Sequence, residues 1–412
     1  MNSSIASVTV TRLSNKHILL GISGGIAAYK IPELIRSLVK AGAEVRVATS
    51  RHALEFVTPL TLQTLSGHPV YSDVFASVNA HATEHISLPE WCDMMLVAPA
   101  TANVLAKTAA GIADDALTTT ICSCVARKPV IVAPAMNDKM WENPAVQQAV
   151  ATIRAWQNVQ VLDPDSGPLA CGTSGKGRMP EPAELQEAIE YAFAPQTLCG
   201  RRVLVTAGGT QEKIDPVRFI SNYSTGKMGF ALAQACARRG AEVTLVCGAV
   251  TASLHDPFHR IRRINALSAQ EMYEACTREW QKADLAVLSA AVADFAPEQT
   301  AAEKIKKQPG QTAMSLSLSL TPDIARTLGE TKRADQKLVG FALESEHEKE
   351  NALRKLERKH MDAIVLNSLR DEGAGFGTDT NCVTVFRADG SSLSLPLQSK
   401  SVIADGIIDS VI

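Results

Sequence analysis

The sequence predicts an α/β protein of two domains, each built on a doubly wound parallel sheet. A repeat carries most of this prediction. An apolar strand, a glycine pair, a helical run, a glycine and a second strand occur twice, with Gly42 in the first copy matching Gly240 in the second. The apolar runs Met94–Ala98 and Val130–Ala133 are typical of parallel strands that are buried on both faces. A length of 412 residues fits two or three domains, and the repeat favours two.

Each half of the chain shows the alternation of strands and helices that this fold needs. In the first half we expect strands at 16–22, 44–49, 94–98 and 130–133 and helices at 25–40, 102–112, 143–156 and 181–193. In the second half we expect strands at 202–207, 243–247, 284–289, 338–342 and 363–366 and a hairpin at 382–396. The expected divisions of the chain are a disordered tail at 1–15, domains at 16–193 and 201–412, and a linker at 194–200.

Two long segments follow predicted strands. Residues 163–179 contain four glycines and two prolines. Residues 208–227 separate a strand from its helix, where roughly two to six residues are usual. Long loops inside compact domains are usually functional or disordered, and insertions at the carboxyl end of a parallel sheet usually line a ligand site. We therefore expect a site beside each segment.

The composition excludes several classes of function. The net charge is −2, so no polyanion-binding surface and no nucleic-acid partner are expected. No apolar run approaches the roughly 18 residues that a membrane helix needs, so no membrane partner is expected. The nine cysteines show no disulfide spacing, and Cys122-x-Cys124 lacks the two-residue gap of a zinc knuckle. We therefore expect a reduced, cytoplasmic protein.

The first glycine loop, GISGG at 21–25, lies between a strand and a helix but does not match the dinucleotide motif GxGxxG. Its glycines allow close backbone approach, and Ser23 with the helix N-terminus suits a single phosphate group. A mononucleotide site and a tight turn without a ligand both fit this loop. Polar residues after the next two strands, in 99–103 and 134–141, should reach the same sheet edge and favour the site.

Two further residues in the first half are candidates for catalysis. Cys171 lies in the polar loop 163–179, where it has no apolar core to join, so a reactive thiol is favoured. His85 is one of nine histidines, and from the sequence pattern alone a structural or surface role is the more common one.

The lysine clusters of the second half fit either a phosphate ligand or an ordinary solvated surface. The segment STGK at 224–227 is not a P-loop, because the first glycine of that motif is missing and Met228 replaces its Ser or Thr. Lys355 and Lys359 share one helix face and could reach a triphosphate, although the residues alone favour a solvated face that pairs with Glu348, Glu350 and Glu357. Lys304 belongs to the cluster KIKK, which has the same two interpretations.

Taken together, these motifs resemble known enzymes. Residues 16–180 resemble the flavin-dependent cysteine decarboxylases. Residues 16–395 resemble the bacterial bifunctional enzymes of coenzyme A biosynthesis, in which phosphopantothenoylcysteine decarboxylase is fused to phosphopantothenate–cysteine ligase. The resemblance rests on SGGIAAYK at 23–30, His85, PATAN at 99–103, PAMNDKMW at 134–141, ACG at 170–172 and GRM at 177–179. It implies two Rossmann-like domains, an N-terminal flavodoxin-like decarboxylase domain and a C-terminal Rossmann-like ligase domain.

For the first domain the resemblance implies FMN and a decarboxylase mechanism. Flavin takes a hydride from the thiol-bearing carbon, CO2 leaves from the resulting thioaldehyde, and the enethiolate is then reduced and protonated. His85 would be the base near the thiol, Asn137 would hold the substrate carboxylate, and Cys171 would protonate the enethiolate. The residues implied in FMN binding are Ser23, Gly24, Gly25, Ser50, Ala100, Thr101, Asn103 and Met136.

For the second domain the resemblance implies a CTP-dependent ligase that forms an acyl-cytidylate and then an amide with cysteine. Lys304 would neutralise charge in the first step, Asn222 would act in the second, and Arg218 would handle substrate and intermediate. Mg2+ would bridge the triphosphate, with no protein ligand assigned. The residues implied in CTP binding are Ser289, Ala290, Ala291, Asp294, Thr321, Pro322, Asp323, Ile324, Phe341, Lys355 and Lys359. Thr321 stands where the family commonly has Asn, which bears on the choice of CTP over ATP.

The expected partners are small molecules: 4'-phosphopantothenate, cysteine, CTP and 4'-phosphopantothenoylcysteine. The resemblance also implies a homo-oligomer, because decarboxylase relatives are trimeric and ligase relatives dimeric, and a fused assembly would be a dodecamer. Two alternatives remain, a flavin-binding regulatory protein without turnover and a two-domain NAD(P) dehydrogenase. The dehydrogenase predicts an acidic residue after the second strand, where this chain has Thr49-Ser50 and Cys247-Gly248.

Overall fold

The computed structural model describes residues 12–75, 83–168, 174–306, 309, 312–344, 346–368, 373, 375 and 377–412. The chain divides into two compact units, Met1–Ala194 and Pro195–Ile412, which are called unit 1 and unit 2 below. Within the described residues, no helix is long and apolar enough to cross a membrane. The cysteines that the structure describes form no disulfide.

Unit 1 contains one six-stranded sheet in which every strand pairing is parallel. Its strands are β1 (His17–Ile22), β2 (Glu44–Thr49), β3 (Val70–Tyr71), β4 (Met94–Ala100), β5 (Val130–Pro134) and β6 (Val159–Val161), with β7 (Asp165–Pro168) and β8 (Ser174–Arg178) as a separate hairpin. Its helices are α1 (Ile31–Lys40), α2 (Pro59–Ser66), α3 (Glu84–Trp91), α4 (Ala102–Ala110), α5 (Ala116–Cys124), α6 (Asp138–Trp141), α7 (Pro144–Arg154) and α8 (Pro182–Phe193), with 3-10 helices at Ile26–Lys30 and Arg51–Glu55. The strand order β3-β2-β1-β4-β5-β6 is doubly wound and reverses between β1 and β4.

Burial in unit 1 explains why its strands appear in the sequence as unbroken apolar runs. Every residue of β4 is buried, and burial on both faces removes the alternation of an exposed sheet. Gly42 follows α1 with a φ of 86°, a left-handed conformation that glycine adopts without strain. The side chain of Leu13 is fully buried, so residues 12–15 belong to the folded unit rather than to the tail expected at 1–15.

Unit 2 contains an eight-stranded sheet and two short ribbons. The strands of its sheet are β9 (Arg202–Ala207), β12 (Glu242–Cys247), β13 (Ile261–Asn265), β14 (Leu285–Leu288), β17 (Lys337–Glu344), β18 (Ala363–Ser368), β19 (Thr380–Arg387) and β20 (Ser392–Ser399). The ribbons pair β10 (Gln211–Lys213) with β11 (Phe219–Ser221) and β15 (Phe295–Pro297) with β16 (Leu318–Leu320). The helices are α9 (Lys227–Arg238), α10 (Ala269–Trp280), α11 (Ile324–Glu330), α12 (Glu348–Arg358) and α13 (Lys400–Val411). The order β13-β12-β9-β14-β17-β18-β19-β20 is parallel as far as β18, and β19 and β20 add an antiparallel end.

The second copy of the repeat forms the same local structure as the first. Gly240 follows α9 with a φ of 91°, as Gly42 follows α1. The predicted strands and the terminal hairpin of this half are confirmed, and the insertion 208–227 holds the ribbon β10–β11. Leu198, in the expected linker, is buried and donates its N–H to the carbonyl of Arg239 at 2.9 Å, so this stretch packs on unit 2.

Candidate functional sites

In unit 1 the residues that follow β1, β2 and β4 are joined by hydrogen bonds. Ser23 is fully buried, and its Oγ donates to the carbonyl of Pro99 at 2.7 Å. The same Oγ accepts the N–H of Thr101 at 3.0 Å and lies 3.2 Å from Thr101 Oγ1. Ser50 donates its N–H to the carbonyl of Ile22 at 3.0 Å. These segments therefore meet at the carboxyl end of the sheet, where the strand order reverses.

The glycine loop has little room for side chains. A Cβ at Gly24 would lie 2.5 Å from the Cβ of His52, and one at Gly25 would lie 3.2 Å from Thr101 Cγ2. At the end of the neighbouring strand β2, Thr49 Oγ1 is buried and has no hydrogen-bond partner among the residues that the structure describes. Gly24 and Gly25 therefore let the loop pack against His52 and Thr101, and the unpaired hydroxyl of Thr49 is the donor that a phosphate-bearing group can use here.

The hairpin β7–β8 lies against the segment that follows β5. Met136 donates its N–H to the carbonyl of Gly177 at 2.9 Å. A Cβ at Gly177 would collide with the carbonyl oxygen of Met136, and one at Gly175 would lie 2.7 Å from the Cβ of Asp138. Asn137, between these two neighbours, caps α6 through its Oδ1. The end of the hairpin therefore packs directly on the segment that carries Asn137.

A buried lysine joins this hairpin to the chain just before α1. Lys30, whose side chain is 8% exposed, donates to Glu181 Oε1 at 2.8 Å. Glu181 also pairs with Arg178, the last residue of β8. The hydrogen bond from Lys30 and the charges of Lys30 and Arg178 lower the pKa of Glu181. The sequence analysis gave Lys30 no role, since nothing in its motif showed that the side chain would be buried.

The remaining candidates of unit 1 lie on separate elements. His85 is half-buried in the first turn of α3, and Asn103 is exposed in the first turn of α4. The carbonyl of Ala100 accepts the N–H of Ala135 at 3.0 Å, which keeps the carboxyl ends of β4 and β5 together. Cys171 lies outside the residues that the structure describes.

In unit 2 the segment that follows β14 is held by β9 and its loop. Ser289 Oγ donates to the carbonyl of Thr206 at 2.7 Å. Ala290 donates its N–H to Thr206 Oγ1 at 3.1 Å, and Ala291 donates its N–H to the carbonyl of Gly208 at 2.8 Å. These bonds satisfy backbone groups of the segment and hold it at the carboxyl end of the sheet.

Two predicted site residues bond to the same segment from different directions. Asn222 Nδ2 donates to the carbonyl of Val292 at 3.0 Å. Thr321 Oγ1 donates to the carbonyl of Ala293 at 2.6 Å, and Thr321 donates its N–H to the carbonyl of Asp294 at 3.0 Å. The structure therefore brings together the insertion, the segment after β14 and the start of the loop that leads to α11.

The pair Asp323–Lys359 joins α11 to the end of α12. Lys359 Nζ donates to Asp323 Oδ1 at 2.8 Å, and the same oxygen caps α11 by accepting the N–H of Arg326 at 3.0 Å. Burial raises the pKa of Asp323, but the bonds from Lys359 and Arg326 outweigh burial and leave this pKa lowered. Lys359 is thus not an ordinary solvated lysine. Lys355 and Phe341 are half-buried on α12 and β17.

Arg218 contacts Ile305, the residue that follows Lys304 in the chain. The guanidinium of Arg218 donates to the carbonyl of Ile305 at 2.5 Å, and Lys304, one residue earlier, is exposed. The buried carboxylate of Asp215 pairs with Arg218 at 2.8 Å. The sequence analysis gave Asp215 no role, because its burial depends on contacts with a distant part of the chain.

Comparisons with known proteins identify the family. A family model described as Flavoprotein matches residues 7–193, and one described as DNA/pantothenate metabolism flavoprotein C-terminal domain matches residues 198–412. The coenzyme A biosynthesis bifunctional protein of Bacillus subtilis (strain 168) is 45% identical over 402 residues, which cover 97% of this chain and 97% of that protein. The chain belongs to the family of coenzyme A biosynthesis bifunctional proteins.

Other relatives match one or both units of this family member. A cysteine/cysteine sulfinic acid decarboxylase from an unknown prokaryotic organism is 46% identical over 361 residues, covering 86% of this chain and 99% of that protein. A crystal structure of the C-terminal domain of a coenzyme A biosynthesis bifunctional protein is 38% identical and covers 52% of this chain and 94% of that chain, with a TM-score of 0.43. Family membership confirms the resemblance drawn from the motifs, and with it the prediction of two α/β domains.

Proposed function

We propose that unit 2 joins cysteine to 4'-phosphopantothenate with CTP, and that unit 1 decarboxylates the resulting 4'-phosphopantothenoylcysteine to 4'-phosphopantetheine. The observation that carries this proposal is family membership over 97% of the chain. The hydrogen-bonded clusters at the carboxyl ends of the two sheets support it, one in each unit. A flavin-binding regulatory role without turnover is not favoured, because the bifunctional relatives match both units.

FMN is the cofactor that we propose for unit 1. The hydroxyl of Thr49, buried at the end of β2 and unpaired among the described residues, supports this proposal, because it is a donor that the phosphate of FMN can use. The proposed FMN-binding residues are Ser23, Gly24, Gly25, Ser50, Ala100, Thr101, Asn103 and Met136. When bound, FMN would accept a hydride from the thiol-bearing carbon and so create the electron sink that a direct decarboxylation of an N-acylcysteine lacks.

Three side chains of unit 1 would hold the substrate and move its protons. His85 takes the proton of the substrate thiol. Asn137 binds the substrate carboxylate, and its cap on α6 fixes which end of the amide faces the helix. Cys171 gives a proton to the enethiolate carbon after CO2 has left. We expect Cys171→Ser to release CO2 but to stop before the final protonation, with an oxidised enethiol product that mass spectrometry detects; full turnover would remove Cys171 from this role.

In unit 2 the carboxylate of 4'-phosphopantothenate attacks the α-phosphorus of CTP, and pyrophosphate leaves. The amine of cysteine then attacks the acyl carbon of the acyl-cytidylate, and CMP leaves. Lys304 neutralises the charge that develops in the first step, and Asn222 orients the acyl-cytidylate for the second. Arg218 handles the substrate and the intermediate. Mg2+ would bridge the oxygens of the triphosphate and would offset its charge.

A simple assay decides whether unit 2 uses CTP or ATP. The proposed CTP-binding residues are Ser289, Ala290, Ala291, Asp294, Thr321, Pro322, Asp323, Ile324, Phe341, Lys355 and Lys359. The protein is incubated with 4'-phosphopantothenate and Mg2+, with CTP or ATP, and without cysteine. Pyrophosphate release that requires CTP supports the proposal. Release with ATP alone would overturn the choice of CTP, and no release with either nucleotide would overturn the ligase.

A second candidate function is decarboxylation of free cysteine or cysteine sulfinic acid. It is favoured by the relative of that name, which is 46% identical over 361 residues. Decarboxylation of free cysteine would not require the hydrogen-bonded cluster around Asn222 and Thr321 in unit 2. Incubation with cysteine alone distinguishes the two candidates, because cysteamine would form only under the second.

We propose a homo-oligomer in which decarboxylase units meet as trimers and ligase units as dimers, giving a cytoplasmic dodecamer. Large apolar side chains exposed in both units support association. They are 62% and 74% exposed at Tyr29 and Leu60 and 83% and 77% exposed at Tyr223 and Leu320. Native mass spectrometry should give twelve times the mass of one chain, and a monomer at micromolar concentration would contradict this assembly.

A further inference from the structure

The buried carboxylate of Asp215 is surrounded by hydrogen-bond donors. Asp215 is 1% exposed. Its Oδ1 accepts the N–H groups of Val217 and Arg218, each at 2.8 Å. Its Oδ2 accepts Arg218 Nε at 2.9 Å and the N–H of Ile305 at 3.2 Å. One carboxylate thus joins the turn after β10 to a segment that lies far along the chain.

Arg218 binds the carbonyl group of Ile305, the residue whose N–H group Asp215 accepts. Its guanidinium donates to the carbonyl of Ile305 at 2.5 Å, so both the N–H and the C=O of Ile305 are bound. Burial alone would raise the pKa of Asp215. The N–H groups of Val217, Ile305 and Arg218 and the charge of Arg218 outweigh burial and lower this pKa to about 2. The carboxylate of Asp215 is therefore ionised at neutral pH. We call the side chains of Asp215 and Arg218, which together bind the N–H and C=O of Ile305, the Asp215–Arg218 clamp.

Two more hydrogen bonds align the segment with the insertion. Ala301 donates its N–H to the carbonyl of Ile214 at 3.0 Å, and Thr300 Oγ1 donates to the carbonyl of Lys213 at 3.1 Å. The backbone is therefore held on both sides of Lys304, whose own side chain is exposed. A lysine side chain has four flexible bonds, so its ammonium group can be placed reproducibly only when its backbone is fixed.

We infer that the Asp215–Arg218 clamp positions Lys304 for the formation of the acyl-cytidylate, with Asp215 and Arg218 acting through the backbone of Ile305. This inference rests on the proposed ligase function of unit 2. It makes both clamp residues positioning residues for the first step. A displacement of Lys304 by about 1 Å is enough to lower a rate of this kind on the order of 100-fold.

The kinetic test compares Asp215→Asn with a matched control. Asn keeps the size of Asp215 but replaces one of its two acceptor oxygens with an NH2 group, which donates and cannot accept. The control is Asp256→Asn, because Asp256 also accepts two backbone N–H groups, from Arg260 at 3.0 Å and Ile261 at 2.7 Å, in another loop of unit 2. We expect Asp215→Asn to lower the kcat of CTP-dependent pyrophosphate release on the order of 100-fold, with a smaller change in the KM for CTP.

In both variants, decarboxylation of supplied 4'-phosphopantothenoylcysteine should stay within about twofold of wild type, because unit 1 carries that step. Pyrophosphate release at the wild-type rate by Asp215→Asn would overturn the inference, and so would an equal loss in Asp256→Asn. Arg218→Lys keeps the charge but loses the planar fork. The double variant Asp215→Asn with Arg218→Lys should be no slower than the slower single variant, whereas multiplied losses would overturn a shared clamp.

Limited trypsin digestion tests the clamp without any assay of activity. Cleavage after Lys304 should become roughly tenfold faster in Asp215→Asn and stay unchanged in Asp256→Asn, since a released segment opens more often. Unchanged cleavage in Asp215→Asn would overturn the clamp. If wild-type protein releases no pyrophosphate from CTP, the proposed ligase fails while digestion still decides whether Asp215 holds the segment.

Discussion

Asn222 Nδ2 donates a 3.0 Å hydrogen bond to the carbonyl of Val292, and this bond joins the insertion 208–227 to the segment after β14. The side chain of Asn222 is exposed, so the bond orients an amide that a ligand can reach. Its Nδ2 is a donor, which an aspartate at this position would lack. The contact therefore makes the function of this amide testable by a change of one atom.

Asn222→Asp should separate the two steps of the ligase. Ionised Asp has no donor for the carbonyl of Val292 and would repel it, so the acyl-cytidylate should be misplaced for attack by cysteine. We expect pyrophosphate release to persist and cysteine-dependent CMP release to fall roughly 100-fold. Rapid-quench analysis of pyrophosphate and CMP measures both. The control is Asn265→Asp, at the end of β13. Loss of pyrophosphate release itself in Asn222→Asp would contradict the assignment to the second step.

Thr321→Val should weaken CTP binding more than it affects the fold. The change keeps the shape of Thr321 and leaves the carbonyl of Ala293 without the 2.6 Å donor. Without this hydrogen bond the proposed CTP-binding segment is no longer held to Thr321, so we expect the KM for CTP to rise roughly tenfold, which corresponds to about 1.4 kcal/mol of binding free energy. The control, Thr331→Val, removes a 2.8 Å bond to the carbonyl of Thr327 at the end of α11 and should leave KM unchanged. Equal effects of the two variants would contradict a specific role for Thr321.

Gly177→Ala should impair the decarboxylase alone. A Cβ at Gly177 would collide with the carbonyl oxygen of Met136, so the hairpin β7–β8 must move away from Asn137. We expect decarboxylation to fall at least about tenfold while pyrophosphate release is unchanged. Gly167→Ala is the matched control on the same hairpin, because its Cβ would lie 3.8 Å from Arg178 Nη1, which is an ordinary van der Waals distance. Decarboxylation assays on supplied substrate check the pair, and a normal rate in Gly177→Ala would contradict the close packing.

Asp215 should also make the stability of unit 2 depend on pH. Its pKa is about 2 in the folded protein and about 3.9 for an unfolded aspartate. Because the folded pKa is the lower one, the stabilisation is complete above about pH 5 and is lost as the pH falls towards 2. The urea midpoint of unit 2, resolved by pulse proteolysis, should therefore fall less between pH 5 and 3 in Asp215→Asn than in wild type. If the urea midpoint fell equally in the variant and in wild type, the hydrogen bonds described for the carboxylate of Asp215 would be contradicted.

Much of the fold follows from the sequence because its signals are local. The unbroken apolar run of β4 and the glycine stops at Gly42 and Gly240 predict parallel strands and helix ends, and all are confirmed. The hairpin β7–β8 was not predicted and lies within the expected loop 163–179. Glycine-rich strands have no alternating apolar pattern, so only their pairing reveals them.

The sequence could predict which candidate residues come together only where a motif follows a strand end. Ser23 and Thr101 meet because parallel strands end at one sheet edge, which a sequence can indicate. The burial of Lys30 and Asp215 could not be predicted, since these side chains pair with Glu181 and Ile305, which lie far along the chain. A lysine or an aspartate in a loop is usually solvated, and nothing local marks the exceptions.

The measurement that tests the central claim most directly follows the carboxyl carbon of cysteine. Wild-type protein is incubated with 4'-phosphopantothenate, Mg2+, CTP and cysteine labelled with carbon-13 at C1, and the products are analysed by mass spectrometry. The account predicts unlabelled 4'-phosphopantetheine, labelled CO2 and CMP in equal amounts. Labelled CO2 with cysteamine and no CMP would contradict it, because the chain would then decarboxylate free cysteine and unit 2 would not be a ligase.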